Sequence, residues 1–485
     1  MKKTVRLLIL FLAGLLLIST LASCKQDKDP SKTPTTDETP SDNGDGMYDE
    51  NGYLKDSLPE KHNFDAEYKI YTWTEMMSWE WCEELSAEPT TVEQALWNRE
   101  QNVEERFGVE ISRHDETGSW AARTQFIATL SNSVLGNDHM YDLVGQYTPC
   151  AGLAAVNGLY ENLADNDYVD FTKPWWPSKI TETATIGDKL YFATGDITPT
   201  LIRNVECMYV NTDLYESYQL AKDVNGKSIY DVVKDYEWTM ETMMKMALNK
   251  VSVEEGNYGI AMLNEVMPDG FFYGGGFTYV ENVDGIMTLS PDLSNNLLIN
   301  WFDGVKDLFT NRYPDVAITG TDPFLQNKAI FYVGQIAESQ QLSAEGVKFS
   351  ILPMPLREAG QQEYRTCASF WVTMYGVPVD VKDFTMSSVI LEALASEAYR
   401  TVSDEIYYNL FQMRYNGENE DSAKMFDILS DSVVFDTARF FPDELGLYAQ
   451  FRVGVCDTAG NWSTIYGGNN ETWTTKITGL YGKVG

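Results

Sequence analysis

Basic residues are scarce in this sequence: Lys and Arg number 36 against 72 Asp and Glu, a formal net charge of −36. A nucleic-acid partner needs cationic side chains to displace its counterions, so nucleic-acid binding is excluded. The same acidity disfavours an anionic ligand by default and is ordinary for an exported domain. Histidine is rarer still, with only His62, His114 and His139. No HExxH or paired-His spacing occurs, so no metal site is expected. Beyond Cys24 the cysteines are Cys82, Cys150, Cys207, Cys367 and Cys456, with no CxxC pair. An odd set leaves at least one thiol free, and no disulfide is expected. Phe272-Tyr273-Gly274-Gly275-Gly276 is rich in glycine but no Lys follows it, so it is not a phosphate loop and no cofactor is expected.

A long apolar run is missing too. Leu7 to Ile18 falls short of the about 20 residues that a spanning helix needs. It follows Lys2, Lys3 and Arg6 and precedes Leu21-Ala22-Ser23-Cys24, the layout of a secretory signal peptide. Leu-Ala-Ser-Cys also resembles the bacterial lipobox. That resemblance implies cleavage after residue 23 and a diacylglycerol on the Cys24 thiol. Residues 24–62 are polar, acidic and poor in apolar side chains, which predicts a disordered stalk above a lipid anchor. Several acyl chains would hold it firmly, at about 0.8 kcal/mol per buried methylene. From 485 residues, about 420 then remain for the body, enough for two lobes.

What the sequence has in plenty is aromatic residues, 13% in all, with 12 Trp and 28 Tyr. Such a surplus suits a ligand with flat apolar faces and polar edges, as sugars have. Along the body, Tyr68–Trp73 reads as a strand, Thr91–Phe107 as a helix stopped by Gly108, and Val109–Ser112 as a second strand. A helix over Arg123–Ser133, a strand over Tyr141–Gly145 and a helix over Ala151–Leu159 complete a β-α-β-α-β-α order. That order predicts a parallel sheet with helices on both faces and a ligand site beyond the strand ends. Later strands are expected at Leu190–Phe192, Met208–Val210, Ala329–Val333, Lys348–Leu352 and Trp371–Tyr375. Helices are expected at Asn300–Thr310 and Ser387–Ala398, with Thr239 capping another.

The landmarks then fall in a familiar order. YDLVGQY with AGLAAVNGLYENL, GDKLYFATGD with CMYVNTDLYE, YEWTMETM, KAIFYVGQIAESQQL and FSILPMPLREAGQQEYRT together resemble the extracellular solute-binding proteins of ABC importers, family 1, the maltose-binding-protein-like group. The resemblance covers roughly residues 66 to 480. It implies an α/β fold of two lobes like the periplasmic binding proteins, with crossing strands as hinge and a ligand cleft between the lobes. Mapped by landmark, the first lobe takes 64–164 plus 361–412, and the second takes 165–360 plus 413–485. It further implies a monomer without enzymatic activity that passes a carbohydrate, expected to be an oligosaccharide, to permease subunits in the membrane.

Candidate ligand residues follow from position and type. Trp73, Glu75, Trp79 and Trp81 lie after the first strand, and Gln146 and Tyr147 end the third. Asp196 and Asn204 fall between the crossing strands. Tyr273, Gln335 and Glu338 are the second-lobe candidates, and Trp371 heads a return strand. Trp462 and Tyr466 lie in NWSTIYGGNN, which reads as a Gly/Asn-rich loop. For each Trp and Tyr, packing in the core is the competing reading. Three other functions compete with sugar capture: a lipid-anchored glycan-degrading enzyme with a carboxylate pair about 5–10 Å apart, a peptide receptor of the same fold, and a glycan-binding lipoprotein of helical-repeat type.

Overall fold

The computed structural model describes residues 47–49, 51–310, 312–406 and 420–485. Cys24, the leader, residues 24–46 of the expected stalk and the expected lobe border at 412 lie outside the described residues. The described residues up to Lys55 and those from Asp56 onward form two separate units. In the first, Tyr48 pairs with Leu54 across a turn whose Asp49 carboxylate accepts the Asn51 and Tyr53 amides.

The second unit already includes part of the expected stalk. Asp56 pairs with Arg106 at 2.7 Å and accepts the Ser396 hydroxyl at 2.8 Å, and Leu58 is buried. The ion pairs of Asp56 with Arg106 and Arg400 and the buried Leu58 offset the ordering entropy there, so residues 56–62 belong to the body.

In chain order the strands are β1 (Ala66–Trp73), β2 (Val109–Glu116), β3 (Leu143–Tyr147), β4 (Glu206–Asn211), β5 (Tyr258–Ala261), β6 (Val280–Val283), β7 (Ile286–Leu289), β8 (Val316–Ala317), β9 (Ala329–Gln335), β10 (Phe349–Leu352), β11 (Thr366–Cys367), β12 (Thr373–Gly376) and β13 (Val433–Val434). One sheet has the order β12-β3-β1-β2, the other β10-β4-β9-β5-β8. β1, β2 and β3 are parallel, and β12 returns antiparallel beside β3. β1 lies inside its sheet and is buried continuously from Ile70 to Trp73, as a strand covered on both faces must be. In the second sheet β5, β8 and β9 are parallel, while β4 runs against both β9 and β10.

Local chemistry sets the element ends. The Thr91–Phe107 helix opens with a capping box between Thr90 and Glu93 and stops at Gly108, whose φ of 60° is left-handed. Thr239 caps its helix by accepting the Thr242 amide. Leu190–Phe192 is not a strand: its neighbours Lys189 and Ala193 make isolated bridges, to Ile186 and Tyr375. Phe272, Tyr273 and Gly274 close a Pro268–Gly274 helix, and Gly275 and Gly276 form the turn after it. Its glycines admit neighbours, since a Cβ on Gly275 would lie 2.4 Å from Trp301 Nε1. The expected C-terminal loop is likewise a helix, Trp462–Val484, capped by Asn461.

The two sheets meet through short crossing contacts. Val205 bridges to Ala368, Ser369 donates to the Asn204 carbonyl at 2.9 Å, and Ile336 donates to the Val205 carbonyl at 3.2 Å. These contacts bring the start of β4, the end of β9 and the approach to β12 to one place.

Candidate functional site

The carboxyl ends of β1 and β3 carry Trp73 and Tyr147. Because Thr373 pairs with Tyr147, the antiparallel β12 puts Trp371 at the same end. The rings of Trp73 and Trp371 lie 5.6 Å apart, and Tyr147 is 5.9 Å from Trp371. From Tyr147 the contacts continue to Phe370 at 6.3 Å, then Tyr448 at 5.2 Å, then Trp120 at 5.9 Å. The result is an aromatic row whose two ends, Trp371 and Trp120, are 38% and 39% exposed. Rings held this way offer flat apolar faces without losing rotamer freedom on binding.

Polar groups fix the row. Trp73 donates its indole N–H to Thr373 Oγ1 at 2.8 Å, and that hydroxyl donates to the buried Glu80 at 2.7 Å. Glu80 also accepts from Thr200 at 2.7 Å; burial nevertheless pushes its carboxyl up to about 7. Glu75 accepts the amides of Gly118 and Ser119, both at 3.0 Å, and so holds the turn that carries Trp120. Asn204 donates to the Trp371 carbonyl, and its turn packs on the Ile336–Glu338 turn at the end of β9. Gln335 ends β9 beside that turn, whereas the Glu338 side chain lies back against Gly334 and Tyr332 of the same strand. Burial pushes Glu338 up to about 7.

Other candidates are occupied elsewhere. Trp81 is buried between the guanidiniums of Arg99 and Arg113, 4.5 and 5.2 Å from its ring. Arg203 covers the half-buried Trp79 at 4.1 Å. Gln146 is buried and donates to Tyr160, and Asp196 accepts from Ser403. Tyr273 is buried beneath Arg439, whose guanidinium is 5.8 Å from its ring. Trp462 is buried among Phe302 and Phe451, with its N–H on the Leu293 carbonyl at 2.7 Å. Tyr466 lies on the same helix against Trp473.

Several residues of the site carry no signal in the sequence. Trp120, Phe370 and Tyr448 come from three distant segments. Asp269 accepts from Arg439 at 2.8 Å and from Arg452 at 3.0 Å. The Arg439 guanidinium lies 4.2 Å from the Phe370 ring and that of Arg452 lies 5.7 Å from Tyr448, so these charges underlie the middle of the row. A pocket of about 250 Å³ between Gln450 and Ile465 contains none of the candidates. Among the described residues no cluster of metal-ligating side chains occurs.

Solved structures share this fold. A cyclo/maltodextrin-binding protein complexed with maltotetraose superposes with a TM-score of 0.52 at 14% identity, over 88% of this chain and 98% of that one. The GacH receptor of Streptomyces glaucescens, solved unliganded and with acarbose, gives 0.52 at 11% identity, over 84% and 98%. The ABC substrate-binding protein Lmo0181 from Listeria monocytogenes, in complex with cycloalternan, gives 0.53 at 10% identity, over 85% and 99%. This is the two-lobed solute-binding fold. No protein-family model and no curated protein matches the sequence.

Proposed function

We propose that this chain is a family 1 extracellular solute-binding protein that captures an oligosaccharide and delivers it, chemically unchanged, to an ABC importer. The observation that carries this reading is the aromatic row from Trp371 to Trp120, set where the first sheet's strands end beside the crossing. Three structures of the same fold bind maltotetraose, acarbose and cycloalternan, which supports a saccharide. Catalysis is not favoured by the acids beside the row: Asp269 is held by two arginines, and Glu80 and Glu206 are fully buried. The lipobox resemblance further proposes a lipid on Cys24 and a place on the outer face of a bacterial membrane, with the chain acting as a monomer.

A thermal-shift screen of the protein against mono- and oligosaccharides tests capture. A ligand at about 100 times its Kd stabilises the native state by roughly 2.7 kcal/mol. The expected result is a shift of a few degrees with the sugar recovered intact. Hydrolysed sugar would establish an enzyme instead, and a peptide as the sole stabilising ligand would remove the carbohydrate. Incorporation of labelled palmitate, abolished by Cys24→Ala, is the expected result for the anchor.

A further inference from the structure

One exposed indole is held as firmly as a buried one. Trp120 lies in the turn that leads into the Arg123–Gly136 helix, and 39% of its surface is open to solvent. A side chain so placed would ordinarily choose among rotamers. Its surroundings prevent that. Glu75 accepts the Gly118 and Ser119 amides, and a Cβ on Gly118 would lie 2.8 Å from Trp73 Cβ, so the turn sits directly on the Trp73 wall. Arg123 donates from Nη1 to the Trp120 carbonyl at 2.6 Å and lays its guanidinium over the indole, 4.1 Å from the ring centre. Phe370 and Tyr448 meet the ring at tilts of 32° and 49°.

Arg123 is itself anchored from another part of the chain. Its Nε and Nη2 donate to the two carboxylate oxygens of Asp443 at 3.1 and 2.9 Å, a planar fork on a planar acceptor. Asp443 lies on the short Pro442–Leu445 helix. Its side chain is 37% exposed, so solvent screens the pair and the pair adds little to folding stability. What the fork does is fix the plane and place of the guanidinium, and through it the indole. The other exposed indole of the row, Trp371, is separated from Trp120 by the buried rings of Tyr147 and Phe370. Open indole surface thus stands at the two ends of the row, and one sugar ring at Trp371 leaves Trp120 bare.

We propose that Trp120 is the distal ring-binding platform of the site and that Arg123, anchored by Asp443, is its positioning residue, so that the site selects saccharides long enough to cover Trp371 and Trp120 together. This rests on the saccharide-capture reading and narrows it to longer chains. Holding the indole in advance removes the rotamer cost that a free side chain meets on binding, and the gain is realised only when a sugar ring reaches that end of the row.

Calorimetry on the full protein tests the selection, with gluco-, xylo- and manno-oligosaccharide series from monosaccharide to hexasaccharide as probes. Within a series that binds, affinity is expected to rise about 10-fold or more from the shortest binder to the longest. Trp120→Ala is expected to erase that rise. Asp443→Asn, which keeps the shape and removes the charge, is expected to cut it about 3-fold with Tm within about 2 °C of the unaltered protein, and Asp443→Glu to restore part of it. Fluorine NMR of protein labelled with 5-fluorotryptophan reads the positioning without any sugar. The Trp120 line, assigned by its loss in Trp120→Phe, is expected to shift and broaden in Asp443→Asn, while the line of Trp238, packed on Phe331 of β9, stays in place. Affinity independent of length, or a Trp120→Ala loss equal for short and long chains, overturns the platform while leaving saccharide capture intact. An unmoved Trp120 line in Asp443→Asn overturns the positioning, whatever the Tm. Absence of binding by every series overturns capture and the length selection together.

Discussion

Trp73 and Trp371 are neighbours with opposite tasks. Trp73 is fully buried and its N–H is committed to Thr373, so it is a wall of the core against which the row is built. Trp371 presents more than a third of its surface to solvent. Truncating the first leaves a cavity, and Trp73→Ala is expected to lose about 3–5 kcal/mol in urea denaturation. Trp371→Ala is expected to change stability by less than about 1 kcal/mol while weakening saccharide binding at least 10-fold by calorimetry. Equal stability losses would place both in the core and remove Trp371 from the site. A second contrast involves glycines. A Cβ on Gly152 would lie 1.9 Å from the Phe440 carbonyl, whereas Gly304, inside the Asn296–Phe309 helix, has open space. Gly152→Ala should therefore lower Tm by several degrees, and Gly304→Ala should raise stability by about 0.5–1 kcal/mol. Thermal unfolding followed by circular dichroism reads both.

Four elements carry a buried acid whose carboxyl is pushed up: Glu80 to about 7, Glu206 to about 8, Glu338 to about 7 and Glu392 to about 7. Burial is the first cause in each. Glu392, on the Phe384–Arg400 helix, stays near 7 although the indoles of Trp175 and Trp176 donate to it at 3.1 and 2.8 Å. The sign follows from proton binding. With folded values above the ordinary 4.5, the native state holds more protons than the unfolded chain between about pH 4.5 and 8. Stability from these groups is full below about 4.5 and is lost as pH rises through 7 to 8. Asp56, held down by Arg106 and Ser396 against its burial, works the other way and weakens the fold only in acid. Tm is thus expected to peak near pH 5 and to fall toward pH 8, and Glu206→Gln should flatten that decline. A Tm rising from pH 5 to 8 would contradict the protonated state of these acids. The same elements show how much of the molecule is legible in the sequence. Thr91–Phe107 is legible to the residue because its cap, apolar spacing and terminal glycine all agree. Trp462–Val484 is not, because Gly467, Gly468, Asn469 and Asn470 have poor helix propensity, yet Trp473, Ile477, Leu480 and Val484 find a surface to bury against. Trp371 reaches Tyr147 through the register of β12 against β3, a pairing that follows once both strands are read. Trp120, Phe370, Tyr448 and the Asp269 cluster meet through loops and late helices, for which local pattern carries no information.

At the scale of the molecule, the C-terminal segment ties the two sheets together. The Thr437–Phe440 turn packs on the Thr148–Val156 helix that follows β3, with Gly152 against Phe440. One residue of that turn, Arg439, is bonded to Asp269 on the Pro268–Gly274 helix, and the Gln450–Cys456 helix packs there too. The Phe384–Arg400 helix packs on Thr91–Phe107 of the first sheet, while Glu420–Asp431 packs on β10 of the second. Stretches 366–372, 203–206 and 437–452 lie between the layers of the two sheets. Hydrogen–deuterium exchange with and without a bound saccharide is expected to show added protection in those three stretches together. The Asn296–Phe309 helix, buried along one face in the second layer set, should exchange alike in both states. Protection limited to the Trp371 segment would mean that the ligand rests on a rigid face, with no coupling between the sheets. Protection spanning all three would mean that ligand binding and sheet closure are one equilibrium, since a ligand shifts such an equilibrium only by contacts that differ between its states.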